Sequence, residues 1–351
     1  MMKAALKTDE GIFTIEEAEL PALPGPDWVM VRVRVAGICG TDLRHWQKHE
    51  HDLAGHIMGH ELAGDVVEIG GEVTNVAAGD RVVVETVLGC GHCEWCRARQ
   101  YNICPDLYAT RSKYVSRAYG QFLVAPASHV YRLPDHVSYE QASLIDTFSV
   151  CLHAQHLSGL TINERVAIVG AGPIGLGQLM LAKASGADVL IIDTVDHSLE
   201  LTRELGADVI VNSTRDDPVA AMKAMTHGRG ADIVFECAGG ESMPQTLPLA
   251  TELARRGGKV VIIGGFDPGV QEMPLEWQRI QMSEIQLIPS ASFAWWHLDK
   301  EQGQVLELLG KGKLDAARLI THRYPLDRIN EAFHCANDKA RTGAVFIAVE
   351  M

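Results

Sequence analysis

Positive charge is in short supply in this chain. Lysine and arginine together number 31 against 45 aspartate and glutamate, a formal net charge of −14 over 351 residues. No nucleic-acid partner is expected, because displacing counterions from phosphate needs a basic face. Long apolar stretches are missing as well. Each hydrophobic run is cut by glycine or charge well short of the ~20 residues that span a membrane, so no membrane partner is expected either. The segment from Met1 to Leu6 sets Lys3 among small apolar residues and then turns acidic at Asp9 and Glu10, unlike a secretory leader. Evenly spread pairs of cysteine, the mark of an oxidised secreted scaffold, are absent too. Together these absences lead us to expect a cytoplasmic protein. No short repeat or low-complexity segment interrupts the chain. A composition of 47% hydrophobic and 22% charged residues at this length supplies two ordered domains, each with its own core.

The cysteine that is present is concentrated. Cys90, Cys93, Cys96 and Cys104 form a Cys-x2-Cys-x2-Cys-x7-Cys run between Gly89 and Pro105, while the other four are scattered. Four thiolates this close in sequence converge tetrahedrally on one Zn²⁺ at about 2.3 Å each and leave no open position, which makes a structural site. The competing readings are an iron–sulfur site, a disulfide framework or four unrelated thiols. Against iron–sulfur, ferredoxin-type runs bring in their fourth cysteine after three residues, and here seven intervene. Cys151, Cys237 and Cys335 read as small buried groups.

Two textures divide the chain. From Trp28 to Ala36, Val29, Val31, Val33 and Val35 alternate with Met30, Arg32 and Arg34, the period of a half-buried strand. Further strand-like runs follow at Ala63 to Ile69 and Arg81 to Glu85, with glycine turns between them. From about residue 150 short strands recur between helical segments: Val166 to Val169, Val189 to Ile192, Val209 to Val211, Ile233 to Glu236, Lys259 to Ile263 and Ile285 to Ile288. Repeated βαβ units of this kind build a doubly wound parallel sheet of dinucleotide-binding size. The alternation stops after about Pro289. An amphipathic helix from Leu298 to Leu309 and an apolar strand from Gly343 to Val349 are expected to return to the β-rich part.

The first of the late strands runs into Gly170-Ala171-Gly172-Pro173-Ile174-Gly175, followed by a helical pattern. Gly170 permits the tight turn, Gly172 admits a pyrophosphate against backbone, and Gly175 lets helix pack on strand. Pro173 suits a first helical turn, and Ile174 lies within the same motif. Asp193 ends the next strand, where an acid accepts hydrogen bonds from an adenosine ribose; capping the following turn is the alternative role. With Asp196 nearby and no arginine in the positions just after Asp193, the expected cofactor is NAD rather than NADP.

A zinc with an open coordination position takes three protein ligands of mixed type, and Cys39, His60, Glu61 and Asp146 are candidate donors. On residue type alone, Cys39 reads equally as a small buried group and Asp146 as a helix cap. The order of Gly37-Ile38-Cys39-Gly40-Thr41-Asp42, Gly59-His60-Glu61, the four-cysteine run and Gly170 to Gly175 adds a further argument. Over essentially its whole length, the chain resembles the zinc-dependent medium-chain dehydrogenases of the polyol (sorbitol-type) and threonine dehydrogenase branches. The resemblance implies that Cys39 and His60 are catalytic-zinc ligands, Glu61 an adjacent exchangeable one and Asp146 the remaining ligand, with Asp42 orienting His60. It also implies that Thr41 passes the substrate proton towards solvent. Many relatives continue that relay with a histidine five residues after the cysteine; this chain has Arg44 there and His45 one place later. Arg44, His45 and Trp46 either line a polar pocket for hydroxyls or a carboxylate, or, for Arg44, form a solvated turn. Arg341 resembles a position that contacts cofactor phosphate, with plain surface exposure as the other reading. His49, His51 and His56 precede His60 in a stretch read as a loop and are assigned to no metal.

The expected fold is therefore α/β: a GroES-like β-rich catalytic domain, residues 1–149 and 289–351, and a Rossmann NAD-binding domain, residues 150–288, with catalysis in the cleft. Two Zn²⁺ per chain, one catalytic and one structural, and NAD are the expected cofactors. The expected reaction is oxidation of a secondary alcohol of a polyol, inositol or sugar acid to a ketone. L-Threonine or another β-hydroxy amino acid is the alternative substrate, and a non-catalytic NAD-binding redox sensor the alternative class. A zinc hydrolase leaves the Gly170 to Asp193 unit unexplained. A homo-oligomer, tetramer or dimer, is what the resemblance implies for assembly.

Overall fold

Alternating valines create the central strand of the first sheet. In Trp28–Gly37 the side chains of Val29, Val31 and Val33 are buried while Arg32 and Arg34 face solvent, as the two-residue period requires. The structure is a computed structural model that describes every residue except 9, 10, 48–52, 266, 268 and 271; His49 and His51 lie outside the described residues. The chain divides into two compact units, Met1–Asp146 with Phe293–Met351, and Thr147–Ser292.

In the first unit, Trp28–Gly37 pairs antiparallel with Glu61–Ile69, with Phe122–Pro126 and with Phe346–Glu350, in a seven-stranded sheet. Phe346–Glu350 brings the end of the chain back to its beginning, as the apolar tail predicts. That strand starts three residues later than the sequence pattern, because Gly343 takes a left-handed conformation that ends helix Lys339–Thr342. The expected helix from Leu298 is also shorter: it spans Glu301–Gly310, and Leu298 stands 81% exposed between the short strands Trp295–Trp296 and Asp299–Lys300.

A buried polar knot ties three parts of this unit together. Glu85, fully buried, accepts hydrogen bonds from Tyr101 Oη, from Tyr131 Oη at 2.6 Å and from Lys300 Nζ at 3.1 Å. A buried carboxylate persists only when paired and hydrogen-bonded in this way. His129 Nε2 lies 3.9 Å from the same carboxylate. Burial, helped by the charge of Lys300, outweighs the pull of Glu85 and holds the imidazole down at about 4.

The second unit is a six-stranded parallel sheet. Numbered in chain order within the unit, its strands run 3-2-1-4-5-6: Val209–Asn212, Asp188–Asp193, Arg165–Val169, Ala231–Glu236, Ala254–Ile262 and Gln286–Pro289. This is the doubly wound order, whose strand order reverses beside the first strand. Its strands are near-continuous apolar runs, with Val166, Ala167, Ile168, Val189, Leu190 and Ile191 at 0% exposure, as a sheet covered on both faces demands. No helix among the described residues is long and apolar enough to cross a membrane.

The His129 environment makes a pH prediction. The unfolded chain takes up this proton near pH 6.5 and the folded chain only near 4, so the unfolded state binds more protons between those values and stability falls as pH drops through them. Between pH 6.5 and 4.5 the loss attributable to this group is about 2 kcal/mol. Urea titrations of wild type and His129→Gln should show a flatter pH slope for the variant; an unchanged slope assigns the acid sensitivity elsewhere.

Candidate active site

Strand register assembles the first cluster. Gly37 lies opposite Glu61 in the antiparallel pair, so Cys39, two residues beyond one strand, and His60, one residue before the other, come side by side. The ligating atoms of Cys39, His60 and Glu61 lie within 4.8 Å of one another. Two glycines make this possible. Gly59 holds φ +90, and a Cβ there would stand 2.9 Å from the Tyr119 ring; a Cβ on Gly37 would collide with Glu61 Oε2 and the Phe346 ring.

A second layer steadies the imidazole. Asp42 Oδ1 stands 3.5 Å from His60 Nδ1, and Asp42 Oδ2 accepts from Tyr119 Oη at 2.9 Å and from Cys39 N at 3.1 Å. Burial alone would push the Asp42 carboxyl up, but His60, Tyr119 and the Cys39 amide together hold it below the usual carboxylate range. Burial likewise opposes the charged form of His60, and Asp42, aided by Cys39, raises its pKa well above the ordinary value. Tyr119 is fully buried, packs edge-on against Phe13 and Phe333, and carries no sequence signal, since 77 positions separate it from Asp42.

Asp146 stands outside the 4.8 Å group. It lies in the first turn of helix Ile145–Ser158, and its Oδ1 accepts from Thr86 Oγ1 at 3.4 Å, a hydroxyl that also donates to the His60 carbonyl at 3.0 Å. Burial raises its pKa, with His60 and Arg111 pulling the other way. Arg111, unmarked by any sequence pattern, donates from Nη2 to the same Thr86 hydroxyl at 3.2 Å.

Thr41 opens helix Gly40–Gln47, and its Oγ1 accepts from Arg44 Nη2 at 3.2 Å. His45 is half-buried at the end of that helix. Trp46 departs from the pocket-lining expectation: its indole packs against Phe333 and His334, with ring centroids 5.8 and 5.1 Å away, as part of the first unit's core. His56 is exposed, with Nδ1 near the Ala54 carbonyl. Arg341, its side chain 81% exposed, pairs with Asp338 at 2.6 Å.

The four-cysteine segment closes as a lobe around helix Glu94–Arg97. Cys90 and Cys96 sulfurs are 4.0 Å apart and those of Cys93 and Cys104 3.8 Å, close to the ~3.8 Å edge of a tetrahedron with 2.3 Å metal–sulfur bonds. All eight cysteines are free thiols, so the disulfide reading fails. The backbone amides of His92 and Cys93 bring the Cys90 thiol down to about 6, while burial pushes Cys96 up to about 12 and raises Cys104 as well, so with no cation present the four do not ionise alike.

In the second unit Gly170, at φ +102, turns the chain into helix Pro173–Ala184, with Gly172 as its N-cap and Pro173 at its start. A Cβ on Gly175 would fall on the Gly170 carbonyl, whereas one on Gly172 would meet nothing within 4 Å. The first glycine is there for packing and the second faces open space at a helix N-terminus, the cradle an anionic pyrophosphate fills. Ile174 accepts at its carbonyl from Cys151 Sγ. Asp193 serves the turn directly: its carboxylate accepts from the amides of Ala171, Thr194 and Val195 at 2.6, 2.7 and 2.9 Å. No arginine follows Asp193 directly in sequence, but Arg215, from just beyond the next strand, pairs with Asp196.

A sulfur–imidazole–carboxylate cluster fits an open zinc site, and the glycine turn fits a dinucleotide, a combination that defines metal-assisted hydride-transfer enzymes. Comparison with known proteins gives the family. Residues 25–135 match the alcohol dehydrogenase GroES-like domain and residues 173–310 the zinc-binding dehydrogenase family. The chain is similar to a sorbitol dehydrogenase from Bacillus subtilis (33% identity, 95% of this chain and 93% of the relative) and to an L-idonate 5-dehydrogenase from Vitis vinifera (34%, 90% and 86%). Its fold superposes on the crystal structure of galactitol-1-phosphate dehydrogenase from Escherichia coli with a TM-score of 0.87, 28% identity and full coverage of both chains. The chain belongs to the zinc-dependent medium-chain dehydrogenases.

The two glycines separate packing from binding. Gly175→Ala is expected to cost about 2 kcal/mol or more in thermal unfolding, through backbone displacement. Gly172→Ala should keep the melting temperature within a few degrees yet lose NAD binding by calorimetry; retained NAD affinity in that variant would remove the pyrophosphate from this turn.

Proposed function

We propose that this chain oxidises a secondary alcohol of a polyhydroxylated substrate, a polyol, inositol or sugar acid, to a ketone with NAD. The observation that carries the proposal is the meeting of Cys39, His60 and Glu61 donor atoms from two separate stretches of chain. In this reading these three hold the catalytic zinc, and Cys90, Cys93, Cys96 and Cys104 hold a structural one. Zinc bound at the first site supplies a Lewis acid that lowers the pKa of an alcohol, and NAD supplies the hydride acceptor.

The remaining work falls to the protein's own side chains. Asp42 keeps the proton on His60 Nδ1, which leaves Nε2 as a donor to metal, and Tyr119 fixes Asp42 in turn. The Thr41 hydroxyl accepts from Arg44 and so has its own proton free to exchange with a substrate hydroxyl, in line with its reading as the first relay group. His45, half-buried at the end of the same helix, is the candidate for the next relay group. Asp146 lies outside the group of Cys39, His60 and Glu61 donors but shares the Thr86 hydroxyl with the His60 carbonyl, which keeps it beside the site as the candidate for a further ligand. Gly170, Gly172, Gly175 and Asp193 form the dinucleotide turn, and Arg341 is a further candidate for cofactor phosphate.

The sorbitol, idonate and galactitol-1-phosphate relatives support a polyhydroxylated substrate over threonine. The same resemblance supports a homo-oligomer, dimer or tetramer, working in the cytoplasm.

Steady-state assays across sugar alcohols, inositols, sugar acids and threonine should find NAD-linked activity with at least one of the first three classes and the least with threonine. Activity confined to threonine or to simple unsubstituted alcohols overturns the reading. Elemental analysis should find two zincs per chain, and chelation should remove one together with activity. Tyr119→Phe should weaken retention of that zinc about tenfold with the fold intact.

A further inference from the structure

Two parallel strands end side by side at the carboxyl edge of the second sheet, where Asn212 stands opposite Asp193 in register. In doubly wound sheets this edge receives the dinucleotide, with the adenosine ribose at the end of the second strand. Asp193 is largely committed already: of the roughly four acceptor positions of a carboxylate, the amides of Ala171, Thr194 and Val195 occupy three. Three residues further on, Asp196 opens helix Asp196–Glu204. Arg215 grips it fork to fork, Nη1 to Oδ2 at 2.9 Å and Nη2 to Oδ1 at 2.5 Å. Asn212 Nδ2 donates to Asp196 Oδ1 at 2.8 Å and to the Thr194 carbonyl at 3.3 Å, pinning the pair to the strand ends.

A guanidinium fork that holds a carboxylate in two places has the geometry to hold a phosphate monoester in the same manner. We propose that Arg215 is a latent receptor for the 2′-phosphate of NADP, kept closed by Asp196, and that this pair rather than Asp193 alone sets the choice of NAD. The proposal rests on the dinucleotide reading above and on neither the metal nor the alcohol. With Asp196 in place, a 2′-phosphate meets a second carboxylate and an arginine whose fork is taken. With Asp196 gone, the fork of the same arginine loses both of its carboxylate hydrogen bonds, and Asp216 is the charge that still acts on it. The pair is exposed, 59% and 61% at its side chains, and exposed ion pairs add little to stability, so either partner can be replaced with the fold intact. Asp193 offers no such test, because its loss would strand three backbone amides of the cofactor turn.

The test is calorimetric titration of the full-length protein with adenosine 5′-monophosphate and with adenosine 2′,5′-bisphosphate, which requires neither metal nor substrate. Wild type should favour the monophosphate. Asp196→Ala should strengthen bisphosphate binding about tenfold, with the monophosphate changed by no more than about twofold, and adding Arg215→Ala should erase the gain. The inference is overturned if Asp196→Ala gains nothing while the monophosphate still binds, or if the gain survives loss of Arg215. Failure of every variant to bind either nucleotide instead removes the dinucleotide reading itself, and this inference with it.

Discussion

The cluster of Cys39, His60 and Glu61 depends on one antiparallel register, Gly37 against Glu61. A slip of a single residue would turn every side chain of Glu61–Ile69 to the opposite face, taking Glu61 away from Cys39. The pair is not uniformly regular, with shifts between Met30 and Val31 and between Val33 and Val35. Its far end is held because neither Gly37 nor Gly59 tolerates a side chain where Glu61, Phe346 and Tyr119 already sit. Close packing of backbone against aromatic rings thus decides where three donor atoms meet.

Electrostatics around that cluster is a balance of buried acids against two arginines. Asp42 is held ionised by its partners, whereas Asp146 has its carboxyl pushed up by burial. Arg111 and Arg44 each reach a threonine hydroxyl, Thr86 and Thr41, that borders the cluster. In a chain with a net charge of −14, these guanidiniums are local positive charges beside the cluster.

Features built from neighbouring residues were the legible ones. The glycine turn, the four-cysteine run and the alternation of Val29, Val31 and Val33 each fit within a short window, and each carries its own geometry. Parallel strands of the second unit announced themselves as apolar runs because both faces are covered. Partnerships across long separations were not legible: Tyr119 with Asp42, Arg111 with Thr86 and Lys300 with Glu85 leave no periodic trace. Trp46 shows the limit of residue type, since a tryptophan beside polar residues reads as a pocket wall until Phe333 and His334 are seen packed against it. Arg215 shows the limit of counting along the chain, because parallel pairing delivers it from beyond the following strand.

The lobe of four thiols spans only 14 positions from Cys90 to Cys104, with amides of its own residues already directed at sulfur. Its donors are gathered by contacts within this short segment alone. Cys39 and His60 have no such independence, since their strand must first pair and Tyr119 must arrive behind Asp42. The two clusters therefore differ in what they require: one short segment gathers the four thiols, whereas Cys39, His60 and Glu61 meet only where the strands beside them are paired.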